Sequence, residues 1–237
     1  MDEPQAAASV MIGRETSAGI EFFMLRRSSR SAFMPSVFVF PGGRVEAPDR
    51  ADAATRQLAG ALPGPDKAFV YAAARETFEE CGLLFATRMI DERTLEIARS
   101  RVLSGTHTFA EVLADLGACI DGSALRYFSR WITPPFETRR FDTRFFVARA
   151  PAGQAAQADA GETHDGLWIT PVQALARNAG GTFALIYPTI KHLERVAEFV
   201  TLDALLDYAA HKPIHAVMPT VAADRTITIP AALEGVW

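Results

Sequence analysis

Cysteine is scarce: Cys81 and Cys119 are the only two in 237 residues. Two thiols fit a reducing compartment better than a disulfide framework, and they are too isolated to nucleate a zinc site. A basic surplus is missing as well. The 24 Lys and Arg side chains face 28 Asp and Glu, for a net charge of −4. That balance argues against nucleic acid as a partner and against binding to an anionic membrane. No apolar run reaches the ~18–20 residues that cross a bilayer. The opening Met1-Asp2-Glu3-Pro4 has neither the charged nor the apolar region of a signal peptide, so a cytoplasmic location is expected. Of the five histidines only His211 and His215 stand four apart, and Pro213 between them breaks the helix that would align them. Neither a G-x4-G-K-[ST] phosphate loop nor a G-x-S-x-G elbow occurs.

What is present is an average globular composition, with 49% apolar and 22% charged residues. A chain of this length buries about 70% of its unfolded surface and needs no metal or disulfide to fold. Residues 9–12, 19–27 (GIEFFMLRR), 37–40 (VFVF), 126–133 and 140–148 are rich in β-branched and aromatic types and read as strands. Residues 167–170 read as one more short strand, and 214–218 and 226–229 as two near the end. Helical patterns cover 67–81, 92–103, 109–116, 171–176, 188–200 and 202–209. Asp66 caps the first of these and Gly82 ends it. Residues 46–65 hold three prolines and two glycines and read as a loop or irregular insertion, as does 151–161. Strands on both sides of the helical runs, with no repeat and no clean linker, predict one α/β domain over residues 1–237.

The informative stretch is Arg75-Glu76-Thr77-Phe78-Glu79-Glu80-Cys81-Gly82-Leu83. At ~100° per residue, Glu76, Glu79 and Glu80 fall within about 100° of arc, while Ala74, Phe78, Cys81 and Phe85 gather opposite. Glu76 and Glu80 repel at i,i+4 by a few tenths of a kcal/mol in water. A hard divalent cation such as Mg²⁺ or Mn²⁺ turns that cost into a gain, because it prefers oxygen ligands shared between protein carboxylates and a substrate phosphate. Arg75 stands at i,i+4 to Glu79 and can hold it ionised. A solvated acidic face is the plain alternative; the preceding arginine, the closing Gly82 and the upstream Phe40-Pro41-Gly42-Gly43 favour a site.

These residues resemble the Nudix box, G-x5-E-x7-R-E-U-x-E-E-x-G-U, where U is a large apolar residue. Arg75, Glu76, Glu79, Glu80, Gly82 and Leu83 match, Thr77 departs at the first U, and Gly43 is the opening glycine. Gly43 and Arg75 are 32 positions apart where the box has 14, so 18 extra residues lie inside it. Counted back from Arg75, the upstream glutamate falls on Lys67; Glu46 replaces it only if the loop folds back. An insertion there is similar to that of the Nudix subgroup that includes peroxisomal coenzyme A diphosphatases. Phe33-Met34-Pro35 and the run from Trp131 to Phe146 resemble that subgroup too.

The resemblance implies a Nudix α/β/α sandwich, a mixed sheet between helices. One insertion would lie within the box at about 46–65, a helical one after it at about 87–120, and a C-terminal helical extension at about 188–210. It implies metal-dependent cleavage of a diphosphate bond in a nucleoside diphosphate derivative, with Glu76, Glu79 and Glu80 as ligands of Mg²⁺ or Mn²⁺. Arg75, Glu79, Glu80 and Glu162 form the catalytic set, one acid serving as base towards water. Glu162, with Asp165, is placed in a polar loop before the Trp168 strand, where an ordinary loop charge is the competing reading. Substrate-binding candidates are Gly42 and Gly43 of the turn, with Arg26, Arg27, Arg30 and Arg140, because a planar guanidinium donates bidentately to phosphate. Arg140, Asp142 and Arg144 share a strand face that either grips pyrophosphate or forms an internal ion pair. Phe141 and Trp168 either stack on a base or pack in the core. Coenzyme A or an acyl derivative is the expected substrate. An ADP-sugar or dinucleotide pyrophosphatase and a non-catalytic nucleotide-binding Nudix module are the alternatives, and self-association as a homodimer stays open. Catalysis is favoured over pure binding, since an acidic face repels phosphate without metal.

Overall fold

The computed structural model describes residues 3–28, 36–62, 66–159, 163–222, 224 and 226–237. Strand β1 (Gln5–Thr16) runs through the middle of the main sheet. Its two-residue period puts Ala8, Val10 and Ile12 into one buried cluster and Met11 into the other. The local pattern predicts only residues 9–12. The strand is longer because β8 (Phe141–Arg149) pairs with it in parallel from Gln5 to Gly13, a non-local match that outweighs the low strand propensity of its alanines.

In chain order, β2 (Gly19–Arg27), β3 (Phe38–Val39) and β4 (Gly42–Arg44) follow β1. Then come α1 (Asp52–Arg56), β5 (Leu58–Ala59), α2 (Lys67–Cys81), α3 (Glu92–Leu103), α4 (Phe109–Asp115) and β6 (Ile120–Asp121). Next are β7 (Arg126–Ile132), β8, β9 (Thr163–Ile169), α5 (Pro171–Ala179), α6 (Tyr187–Val196) and α7 (Leu202–His211). Short strands β10 (Ala216–Val217), β11 (Thr220–Val221) and β12 (Ile227–Thr228) end the series. The main sheet has the order β10-β7-β8-β1-β2-β3, with β9 on β2 and β4 on β1. The β1–β8 and β7–β10 pairs are parallel and the rest antiparallel, so the sheet is mixed, as expected. Residues of α1 to α4 bury against one face, through Ala54, Phe78, Leu95 and Val112 among others. Ala174 of α5, Leu193 of α6 and Leu205 of α7 bury against the other. The result is the expected α/β/α sandwich. Among the described residues no helix is long and apolar enough to cross a membrane.

Helix α2 begins and ends where its sequence says. The Asp66 side chain accepts the Ala68 N–H at 3.1 Å. Gly82 turns left-handed at φ 72°, and its N–H donates to the Phe78 carbonyl at 2.9 Å. Ala74, Phe78 and Cys81 are fully buried, and Phe78 alone is worth roughly 1.5–3 kcal/mol of burial.

Two segments differ from expectation. Residues 46–65 are not irregular throughout: they hold a 3-10 turn at Pro48–Arg50, then α1, then β5, which pairs in parallel with β6. Gln57 fastens this segment to α4 by donating from Nε2 to the Ala110 carbonyl at 2.7 Å. These partners lie 53 and, for β5 and β6, 62 residues apart, so composition could not show them. Residues 163–166, ahead of Trp168, are also strand rather than loop: β9 pairs with β2 along Phe22–Arg27, with a bulge at Asp165, whose φ is 58°.

Candidate active site

The acidic face of α2 meets the Pro41-Gly42-Gly43 turn, and the two glycines make that approach possible. Gly42 has φ 153°, and a Cβ there would stand 2.6 Å from Ser9 Cα and nearer still to the Ala8 carbonyl. A Cβ on Gly43 would overlap the Glu76 carboxylate, with Oε2 only 2.6 Å away. The bare backbone lets Glu76 lie on β4, and the Gly42 N–H donates to Glu80 Oε2 at 2.8 Å.

Arg75 gathers the rest. Its Nη1 stands 3.0 Å from Glu76 Oε1 and donates to Glu79 Oε2 at 3.0 Å. Its Nη2 donates to the Arg44 carbonyl at 3.0 Å. The remaining edge of the guanidinium makes a fork to Asp49, Nε to Oδ1 at 2.8 Å and Nη2 to Oδ2 at 2.9 Å. Asp49 is the residue that sequence reasoning missed. Its side chain is 1% exposed, and it also accepts the Glu46 N–H at 2.8 Å. Glu46, a replacement only if the loop folded back, stands half-exposed, 3.7 Å from Arg44. Counting forward from Gly43 shows the signal: the sixth residue on is Asp49, where the box has its upstream glutamate. The extra residues therefore lie between this acid and Arg75. Counting back from Arg75 crosses the insertion and lands on Lys67.

Burial dominates the electrostatics. It pushes the Glu76 carboxyl up to about 7 against the opposing pull of Arg75, and it raises Glu79 likewise. Arg75 loses hydration by the same burial, but Asp49, Glu76 and Glu79 hold it firmly protonated. Among the described residues no group of three or more His, Cys, Asp or Glu is arranged to hold an ion as the side chains stand. The donor chemistry nevertheless fits a hard divalent cation. Glu76, Glu79 and Glu80 offer only oxygen from adjacent turns, and the first two are carboxyls whose ionised forms lack water and call for positive charge. The far end of the helix is also fixed. Arg99 donates from Nε and Nη2 to the Glu79 carbonyl at 3.0 and 2.9 Å. The 151–159 loop crosses there, with the Asp159 N–H on the Glu80 carbonyl at 2.9 Å.

The other candidates scatter. Arg26 lies over Phe38, 5.9 Å from its ring, on the sheet face opposite α2, and pairs with Asp165 at 3.8 Å. Arg27 is half-buried at the end of β2. Arg30 and Glu162 lie outside the described residues, as do Phe33, Met34 and Pro35. Arg140 stands just before β8 and donates from Nε to the Thr133 carbonyl at 3.1 Å. Asp142 is held by Arg130, Nε to Oδ1 at 3.0 Å and Nη2 to Oδ2 at 2.8 Å, and by Arg144. Arg144 in turn lies 4.6 Å over the Phe69 ring. On that face Asp142 and Arg144 thus form an ion pair, and Arg140 stands outside it. Trp168 packs on Phe23 with centroids 5.2 Å apart, which is core packing.

Comparison with known proteins agrees with this geometry. A family model described as the NUDT19 Nudix domain matches residues 52–196. The acyl-coenzyme A diphosphatase NUDT19 of Gallus gallus is 30% identical, over 82% of this chain and 65% of its own length. Its namesake from Xenopus laevis is 24% identical, over 88% of this chain and 69% of its own length. The chain thus spans about two thirds of these relatives. Among solved structures, a Nudix hydrolase from Alicyclobacillus acidocaldarius superimposes with a TM-score of 0.80 at 26% identity, covering 90% of this chain and all of that one.

Proposed function

The chain belongs to the Nudix hydrolase family, in its NUDT19 form, and from that premise we propose that it cleaves the diphosphate bond of coenzyme A or an acyl-coenzyme A with Mg²⁺ or Mn²⁺. The observation that carries the reading is the cluster of Glu76, Glu79 and Asp49 around Arg75, set against Gly42 and Gly43. Glu76, Glu79 and Glu80 would hold the ion, which would neutralise charge on the diphosphate oxygens. The chain's own groups do the remainder. Arg75 fixes the rotamers of Glu76 and Glu79, and Asp49 fixes Arg75. Glu79 or Glu80 takes the proton of the attacking water, with Glu162 as a third candidate. The water oxygen bonds to phosphorus, the bridging P–O bond breaks, and 3′,5′-ADP and a phosphopantetheine leave. The similarity of the NUDT19 diphosphatases to this chain supports that substrate.

A substrate panel tests the proposal. With Mg²⁺, coenzyme A or acyl-coenzyme A should exceed ADP-ribose and dinucleotide polyphosphates in kcat/KM, and EDTA should abolish turnover. Glu79→Gln and Glu80→Gln should each lower kcat by at least ~10²-fold, the scale of losing one preorganised electrostatic group. A tenfold win for ADP-ribose or a dinucleotide rejects the substrate, and full activity in EDTA rejects the metal. Two variants with wild-type kcat would make the helix face an ordinary solvated surface.

A further inference from the structure

One residue beyond Gly43, where the Glu76 carboxylate rests, the chain enters a cleft of about 540 Å³ lined by residues 5–6, 44–48 and 50. It is a surface depression open to solvent rather than an enclosed pocket. The same turn that sends Asp49 inward to Arg75 lines this cleft with Pro48 and Arg50 on either side of it. Acid cluster and cleft thus share one short segment of chain, residues 43–50.

The walls are mixed. Ala6, Val45, Ala47 and Pro48 are apolar, Gln5 is polar and neutral, and two cations, Arg44 and Arg50, outnumber the one acid, Glu46. Among the described residues each arginine has one exposed acidic partner: Arg44 is 3.7 Å from Glu46, and Arg50 donates to Asp66 at 3.3 Å, with the arginine side chains 61% and 47% exposed. Exposed pairs of this kind contribute little, so a dianion can displace them at small cost. A pantetheine arm is neutral and gains nothing from guanidinium groups. A nucleoside that carries a phosphomonoester gains from both, because two forks match its oxygens. Arg26 cannot share this task, since it lies on the other face of the sheet.

Resting on the substrate reading above, we propose that this cleft takes the adenosine half of coenzyme A and that Arg44 and Arg50 clamp its 3′-phosphate. They are specificity residues within the box insertion and its entry. The bond being cut is left to the acid cluster.

Coenzyme A and 3′-dephospho-coenzyme A differ only in this phosphate, so their kcat/KM ratio is the readout. The wild type should prefer coenzyme A. Arg44→Ala with Arg50→Ala should cut that ratio by about 10- to 100-fold, the size of losing charged hydrogen bonds, mostly through KM. Arg44→Lys with Arg50→Lys should recover part of it. Direct calorimetry with 3′,5′-ADP and 5′-AMP gives a second arm that needs no turnover. The wild type should bind 3′,5′-ADP more tightly, and the double alanine variant should lose the difference. A ratio unchanged by the double substitution overturns the clamp, as does equal affinity of the wild type for the two nucleotides. A wild type that cuts neither coenzyme A form but still prefers 3′,5′-ADP, with the preference lost in the variant, rejects the substrate reading and keeps the clamp.

Discussion

Replacing Asp49 by alanine removes the acid that holds Arg75 from behind. Two charged hydrogen bonds are lost, at 2.8 and 2.9 Å, that a guanidinium 12% exposed donates to a carboxylate 1% exposed. Breaking a buried pair by deleting one partner costs about 3–5 kcal/mol, because the other charge is left uncompensated. Arg75 keeps Glu76, Glu79 and the Arg44 carbonyl, so the lower end applies, about 3 kcal/mol. For a chain of this size that is a fall of roughly 6–12 °C in Tm. The guanidinium would then be positioned by the Arg44 carbonyl and by Glu76 and Glu79, the groups it is meant to position, and kcat should fall by ~10-fold or more. Urea unfolding of Asp49→Ala, Arg75→Ala and the double variant gives the coupling energy, expected near the upper end of the ~0.5–3 kcal/mol range for residues in contact. Asp49→Glu restores the charge and should recover part of both losses. If Asp49→Ala stayed within ~1 kcal/mol of wild type at unchanged kcat, or the coupling were under ~0.5 kcal/mol, the anchoring role of Asp49 would be refuted.

The two glycines should separate structure from activity. In Gly43→Ala the three atoms nearest the new methyl all belong to the carboxyl end of the Glu76 side chain, so the fold should hold while kcat drops. Gly42→Ala runs into the β1 backbone at a φ of 153° and should lose more than ~1 kcal/mol of stability; thermal melts beside initial rates decide, and equal behaviour of the two would contradict the geometry. His192 is fully buried between Ser129 Oγ and the Pro188 carbonyl, each at 2.6 Å, and burial lowers its pKa to about 3. The unfolded chain, at ~6.5, takes the proton first. This group's contribution is therefore complete above pH ~6.5 and is lost at ~1.4 kcal/mol per pH unit as pH falls from there towards 3. Urea unfolding at pH 7.5, 6 and 5 should show the gap between wild type and His192→Gln narrowing with acidity; a constant gap contradicts it.

Helix α2 was legible in the sequence because its signals are local. A cap at Asp66, a left-handed stop at Gly82 and the angular placement of Glu76, Glu79 and Glu80 all act within a few residues of the backbone they govern. One α/β domain followed from the order of strand and helix patterns, the mixed sheet between helices followed from the resemblance to the box, and the strand limits of β2 and the helices α3 and α4 lay close to expectation. The full length of β1, the strand character of residues 163–166 and the elements inside the box insertion depended on partners far along the chain. The same division runs through the site. The sequence by itself determined that three carboxylates and an arginine share one helical face behind a Pro-Gly-Gly turn. Only the tertiary structure decided that Asp49 and not Glu46 holds Arg75, that Asp142 is taken up between Arg130 and Arg144, and that Arg26 faces away from α2 while Arg44 and Arg50 line the cleft beside it. A buried guanidinium takes whichever carboxylate the closed fold brings within ~3 Å, and that distance belongs to the packed molecule rather than to any stretch of chain.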